Sequence, residues 1–255
     1  MLFNSHLFIF FFLPSLLLAF SIFREHRKLV LLSFSILFYA YTGLMPLFLI
    51  VFSCLLVFIL IHTSILAGSR YKTPLITFLC LFLLSLLGYF KYYPALHSFL
   101  SPYFSNLNSY SIPPPLLIVI PAGISFYTFQ LISFFIDFVN RKINEKPKIL
   151  DVFLFAAYFP QLIAGPIMRA KDMLPFISNI DSEYRSRDKL YNDISVGFSL
   201  IAFGLFQKTI FSDLVSALIS PNVELIKLSP DLFSSLAITV GYCSIIFSDF
   251  SGYSL

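Results

Sequence analysis

The chain has 255 residues and a net charge of +4, with 58% apolar residues, 12% charged residues and a mean hydropathy of +0.87. These values exclude an ordinary soluble domain, and basic residues confined to short clusters between apolar runs leave no nucleic-acid-binding footprint. The 33 Phe and 14 Tyr, with no Trp, suit lipid-facing bulk, with Tyr able to serve at the wet edges of a bilayer.

A spanning helix needs about 20 mostly apolar residues, and the first such run covers about 2 to 22. Ala19-Phe20-Ser21 faintly resembles a signal-peptidase site. No Lys or Arg precedes the run, however, and Arg24, Arg27 and Lys28 follow it, which predicts a retained helix with its N-terminus outside. Further runs lie at about 29 to 41, a short one, then 45 to 66 and 74 to 90. A fifth begins after Pro113-Pro114-Pro115 and ends near Val139, a sixth lies at about 149 to 168, and longer ones cover about 190 to 219 and 232 to 250. The expectation is an all-α polytopic membrane protein, one transmembrane domain over 1 to 255, with about seven or eight membrane helices plus a re-entrant segment.

Alternating sides from an external N-terminus puts three basic clusters inside: Arg24 to Lys28, Arg70 with Lys72, and Arg141 to Lys148. If the sixth run crossed, the basic loop from Arg169 to Lys189 would fall outside, so a re-entrant sixth segment removes the conflict. Pro160, Gly165 and Pro166 interrupt that segment by removing a donor or loosening the backbone. Irregular backbone at membrane depth is tolerated where it is buried in protein or lines a wet cavity. A short horizontal helix between two spans is the other reading of the same residues.

Ionisable groups at membrane depth cost about 2.5 to 3.5 kcal/mol each on insertion scales. Gln130, Ser133 and Asp137 share one helical face by spacing, which predicts an inward face, with Asp137 paired to Arg141 one turn on. Gln207, Lys208 and Asp213 interrupt the 190 to 219 run, where Gly204 predicts a break. Cys54, Cys80 and Cys243 sit singly in apolar runs and read as packing residues. His6, His26, His62 and His97 have no catalytic surroundings, and no metal-ligand spacing, GxSxG or phosphate loop occurs.

Pro121-Ala122-Gly123-Ile124-Ser125-Phe126-Tyr127-Thr128-Phe129-Gln130 and Phe159-Pro160-Gln161-Leu162-Ile163-Ala164-Gly165-Pro166-Ile167-Met168-Arg169 are two stretches that resemble the membrane-bound O-acyltransferase family, and within it the membrane subunit of alginate O-acetylation and its peptidoglycan and teichoic-acid relatives. Phe90-Lys91-Tyr92, Gly204-Leu205-Phe206-Gln207-Lys208 and Asp249-Phe250-Ser251-Gly252-Tyr253-Ser254 add three further matches in the family's order. One departure is Asn140, which stands where the family pattern places Arg three residues after the carboxylate matched by Asp137.

The resemblance implies helices around a passage through the membrane, along which an acyl group from a cytoplasmic donor reaches a hydroxyl on the other side. It places Ser125, Gln130, Gln161, Gly165, Pro166, Arg169, Asp249 and Tyr253 along that passage as lining residues, none of them catalytic. The family's near-invariant histidine, the expected general base, lies beyond the motif at Asp249 to Ser254. The 255 residues are therefore expected to be the N-terminal half of the fold, a split or frameshifted product inactive alone. No cofactor or metal is expected to be bound. The implied donor is acetyl-CoA or an acyl carrier thioester, the implied partners are membrane lipid and an extracytoplasmic esterase-like protein, and the implied location is a bacterial inner membrane. A non-catalytic scaffold and a transporter-like protein are the alternative functions, although transporters usually carry two interrupted segments in corresponding positions and only one occurs here.

Overall fold

The structure is a computed structural model that describes residues 3, 5–68, 71–104, 121–143, 146–162, 168–180, 187–219 and 231–254; among them it is helical with no strand. The chain forms two compact units, one of Met1–Ile163 with Ile167–Ser182 and one of Ala164–Pro166 with Glu183–Leu255.

In the first unit a π turn, Phe8–Phe12, leads into α1 (Leu13–Ile22). After a 3-10 turn at Arg24–His26 come α2 (Arg27–Ala40) and α3 (Leu44–Ala67). Helix α4 (Lys72–Leu87) runs through a second π turn, Gly88–Tyr92, into α5 (Tyr93–Phe104). Then follow α6 (Ile124–Val139), α7 (Ile149–Ala157), the single turn α8 (Phe159–Leu162) and α9 (Ala170–Asn179). Helices α2, α3 and α4 pack on α6 and α7, burying Phe38, Cys54, Val57, Ile61, Leu83, Tyr127 and Phe134 completely. Phe12, Phe38 and Phe159 form a nest with ring centroids 5.3 to 5.6 Å apart. The nest holds the start of α8 against α1 and α2.

The second unit is built on two long apolar helices. Helix α10 (Arg187–Phe206) continues through a π turn, Gln207–Asp213, as a span of Tyr191–Ile219, and α11 is Leu232–Ser254. They run antiparallel, since Gly204 lies against Gly252 while Val215 and Ile219 lie against Gly241.

Among the described residues four helices are long and apolar enough to cross a membrane, or five if the bent pair Phe8–Ile22 and Arg24–Ala40 is one span. That is fewer than the seven or eight counted from apolar runs. The first two runs meet at 107°. The fifth run contributes 16 helical residues to α6 and the sixth only nine to α7 before the chain turns at Tyr158. Nine residues rise about 14 Å, less than half a hydrocarbon core. Much of α7 is apolar because protein encloses it: Val152, Leu154, Phe155 and Ala156 are all almost fully buried.

Two further expectations are corrected. Asp137 pairs with Lys142 at 3.2 Å, not with Arg141. Helix α6 ends in a Schellman turn, with the N–H of Lys142 donating to the carbonyl of Asp137 and the N–H of Arg141 to that of Phe138. Arg141 sits at φ +58° in that turn, so its side chain leaves the helix face one residue before Lys142 returns to it. Gly204 produces no break either, because the polar residues after it are taken up by the π turn instead.

Two basic clusters that the charge pattern puts on one side of the membrane do meet. Lys28 lies 3.6 Å from Asp151, whose other carboxylate oxygen accepts the N–H of Lys148 at 2.9 Å and so caps α7. Arg27 reaches the carbonyl of Ile180 at 3.4 Å. Both Lys28 and Asp151 are largely buried, so removing one partner leaves a sheltered charge. We expect Lys28→Met alone to lower stability in detergent by roughly 2 kcal/mol, and Lys28→Met with Asp151→Leu to recover most of the loss. Equal unfolding midpoints for the single and double variants would show that the pair is not coupled.

Candidate functional site

The polar motifs gather in two clusters, one in each unit. In the first, the chain enters α6 through Pro121, Ala122 and Gly123. Gly123 has φ +73°, and a Cβ there would stand 2.6 Å from the backbone oxygen of Leu162. Glycine is required on both counts. The contact joins the start of α6 directly to α8, hence the stretch from Pro121 to Gln130 to the one from Phe159 to Leu162. Helix α2 fixes both sides of it: Tyr39 donates its hydroxyl hydrogen to the carbonyl of Ala122 at 2.6 Å, and the N–H of Phe159 donates to the Ser35 hydroxyl at 3.3 Å.

Ser125, half-buried in the first turn of α6, accepts a hydrogen bond from Lys91 Nζ at 3.4 Å. Phe90-Lys91-Tyr92 is thereby brought to the same place. Gln130 and Gln161 are buried, and the side-chain oxygen of Gln130 has no hydrogen-bond partner among the described residues. Asp137 is buried and Ser133 half-buried, which bears out the inward face of α6. Arg169 is exposed, and its backbone caps α9. Gly165 and Pro166 lie outside the described residues.

In the second cluster Lys208 stands between two carboxylates, 2.7 Å from Asp249 and 3.0 Å from Asp213. The π turn makes this possible. In an α-helix residues five apart diverge by about 140°, whereas the i to i+5 bonding of a π turn stacks them, so Asp213 stands over Lys208 while Asp249 reaches in from α11. Close approach of the two helices is set by Gly204 and Gly252, since a Cβ at either would fall 2.5 to 2.8 Å from the other's backbone oxygen. Tyr253 lies in the last turn of α11, and its side chain is outside the described residues.

The chain matches no family model. It is 31% identical to the probable alginate O-acetylase AlgI of Pseudomonas aeruginosa, over 100% of this chain and 48% of that protein. To the AlgI of Pseudomonas putida it is 30% identical, over 100% of this chain and 51% of the relative. The peptidoglycan O-acetyltransferase of Helicobacter pylori is 29% identical, over 99% of this chain and 52% of its own length. The similarity to these acetyl-group enzymes runs along the whole length of the chain. The chain spans about half the length of these relatives.

The described parts of three motifs fall in the first cluster and those of two in the second, with residues 163–167 of the Phe159 to Arg169 stretch outside the described residues. Sequence reasoning quoted Lys91 within a motif without giving it a role, and passed over Tyr39 and Ser35. Lys91 had a legible signal, a charge that ends the apolar run of α4, whereas Tyr39 and Ser35 look like ordinary residues of an apolar helix. Among the described residues no group of three or more His, Cys, Asp and Glu is arranged to hold a metal ion.

Two outcomes check this geometry. Gly123→Ala should cost about 1 to 3 kcal/mol, since it adds both strain and a backbone clash; a detergent-solubilised variant with an unchanged melting point would contradict the contact. Lys208→Asp should sharply reduce the folded yield by placing three carboxylates together, and adding Asp249→Lys should restore much of it. If the double exchange is no better than the single one, the ion pair does not join α10 to α11.

Proposed function

We propose that this chain supplies the N-terminal half of an integral-membrane O-acetyltransferase that modifies hydroxyls of an exported polysaccharide or cell-envelope glycan. The observation that carries the reading is the pairing of the motifs across space: residues shared with the O-acyltransferases converge on Gly123 and Lys208, rather than scattering over lipid-facing surfaces. The names of the relatives, alginate O-acetylase and peptidoglycan O-acetyltransferase, favour acetyl as the group and a sugar hydroxyl as its destination.

In the proposed reaction an acetyl thioester, acetyl-CoA or a carrier-protein thioester, is presented from the cytoplasmic side. An acceptor hydroxyl attacks the thioester carbonyl, a general base takes the hydroxyl proton, and the thiol leaves with a proton. The base must stand within hydrogen-bond reach of the hydroxyl. None of the four histidines stands within the five motifs, and His62 Nδ1 lies 3.2 Å from the Phe58 carbonyl of its own helix. The chain is accordingly proposed to bind and guide rather than to transfer by itself. The base comes from the other half of the length seen in the relatives, and the acceptor hydroxyl of this step belongs to an extracytoplasmic esterase-like protein, which then passes the acetyl group to a hydroxyl of the glycan. A bacterial inner membrane with the N-terminus outside completes the proposal, supported by the meeting of the Lys28 and Lys148 clusters.

Complementation tests it. The chain should be fused to the remaining half of the Pseudomonas aeruginosa AlgI and expressed in a strain whose own alginate O-acetylase gene is deleted. The fusion is expected to restore ester-linked acetate on the polysaccharide, and the 255 residues alone are expected to restore none. A correctly inserted fusion that leaves the polysaccharide unacetylated would refute the acetyl-transfer reading, while acetate restored by the short chain alone would refute the division of labour.

A further inference from the structure

Among the described residues no carboxylate pairs with Lys91. Its described contacts are the Ser125 hydroxyl at 3.4 Å and the face of the Tyr92 ring, whose centroid is 5.5 Å from Nζ. Both are neutral. Every other ammonium or guanidinium interaction discussed so far ends on a carboxylate or a backbone carbonyl. Lys91 is exposed, and a lysine open at a membrane boundary is available to an anionic headgroup.

Its depth can be read from the helix. Lys91 follows Lys72 by nineteen residues on one continuous helix, Lys72–Leu100. At 1.5 Å per residue the two ammonium-bearing positions are about 28 Å apart along the axis, one hydrocarbon thickness. With Lys72 at one headgroup layer, Lys91 stands at the other. Between them Phe78, Leu81 and Leu84 are exposed, a wall against which acyl chains lie, and at the level of Lys91 the exposed rings of Tyr89 and Tyr92 suit a membrane boundary. The next residue inward, Phe90, is buried, so the π turn fixes one side of its chain inside while presenting Lys91 over Ser125 of a different helix. That hydroxyl is itself held in place, because Gly123 and Ala122 just before it are pinned by Leu162 and Tyr39.

We propose that Lys91 and Ser125 form a binding site for a membrane-borne phosphate in the leaflet opposite Lys72. The ammonium supplies the counter-charge and the hydroxyl a second donor to the phosphate oxygens, while the lipid chains run down the Phe78, Leu81 and Leu84 face. The same chemistry is offered by a phospholipid headgroup and by a polyprenyl phosphate that carries a saccharide. The site lies within the first motif cluster, and its test reads lipid retention, so it can fail without the acetyl-transfer reading failing.

The purified 255-residue chain is placed in nanodiscs of phosphatidylcholine, and retained lipid is counted by native mass spectrometry during titration with phosphatidylglycerol, polyprenyl phosphate or inorganic phosphate. One of the two added lipids should bind saturably, with affinity falling about tenfold in Lys91→Gln and less in Ser125→Ala, while Lys91→Arg keeps it. The lipid that competes better identifies the source. Lys148→Gln, an exposed lysine elsewhere on the unit, should change nothing. The proposal is overturned if Lys91→Gln, melting like the parent, binds both lipids as the parent does. It is equally overturned if Lys148→Gln loses as much, or if inorganic phosphate alone competes as well as either lipid.

Discussion

A single backbone contact, Gly123 against the carbonyl of Leu162, organises the first unit. The chain cannot bring α6 and α8 this close with any side chain at position 123, and α8 is only one turn long, so it has little structure of its own to hold it there. The neighbours therefore supply the rigidity. Tyr39 grips the carbonyl beside the glycine, Ser35 takes the first N–H of α8, and the Phe12, Phe38 and Phe159 rings fill the space behind. Helix α2 presents Ser35, Phe38 and Tyr39 within two turns, and without it neither strand of the contact would be positioned.

The second unit solves a different problem, that of keeping charge among long apolar helices. Lys208, Asp213 and Asp249 together hold one positive and two negative charges. Each ion is less costly beside its opposite than alone, and the small residues Gly204 and Gly252 bring the helices near enough for the short Asp249 side chain to reach. Packing and electrostatics are interdependent here: a wider helix spacing would strand the lysine.

The all-helical class and the pairing of motifs were legible because both depend on residue type. Apolar runs mark helices in a bilayer, and Gly, Pro, Gln and Lys at fixed places mark departures from lipid-facing surface. Span number was not legible, because enclosure by protein and enclosure by lipid select the same side chains; α7 reads like a membrane segment and is a nine-residue interior helix. The partner of Asp137 was missed for a geometric reason. Spacing arguments assume the helix continues, and α6 ends at Val139, which rotates Arg141 away and brings Lys142 back. The supposed break after Gly204 was the same kind of error, since composition shows that something interrupts the helix but not that an extra residue can be absorbed without breaking it.

That absorption has an evolutionary side. Two of the three π turns among the described residues fall on motifs, Gly88–Tyr92 on the one containing Lys91 and Gln207–Asp213 on the one containing Lys208. Each is one residue longer than the α-helical turn it replaces. Loss of one residue from such a turn would return it to an α-helical turn and leave the segments on either side in nearly the same rotation, because the extra residue is absorbed within the turn. A helix built this way can gain or lose a residue at its motif without turning the rest of the span out of register with its neighbours.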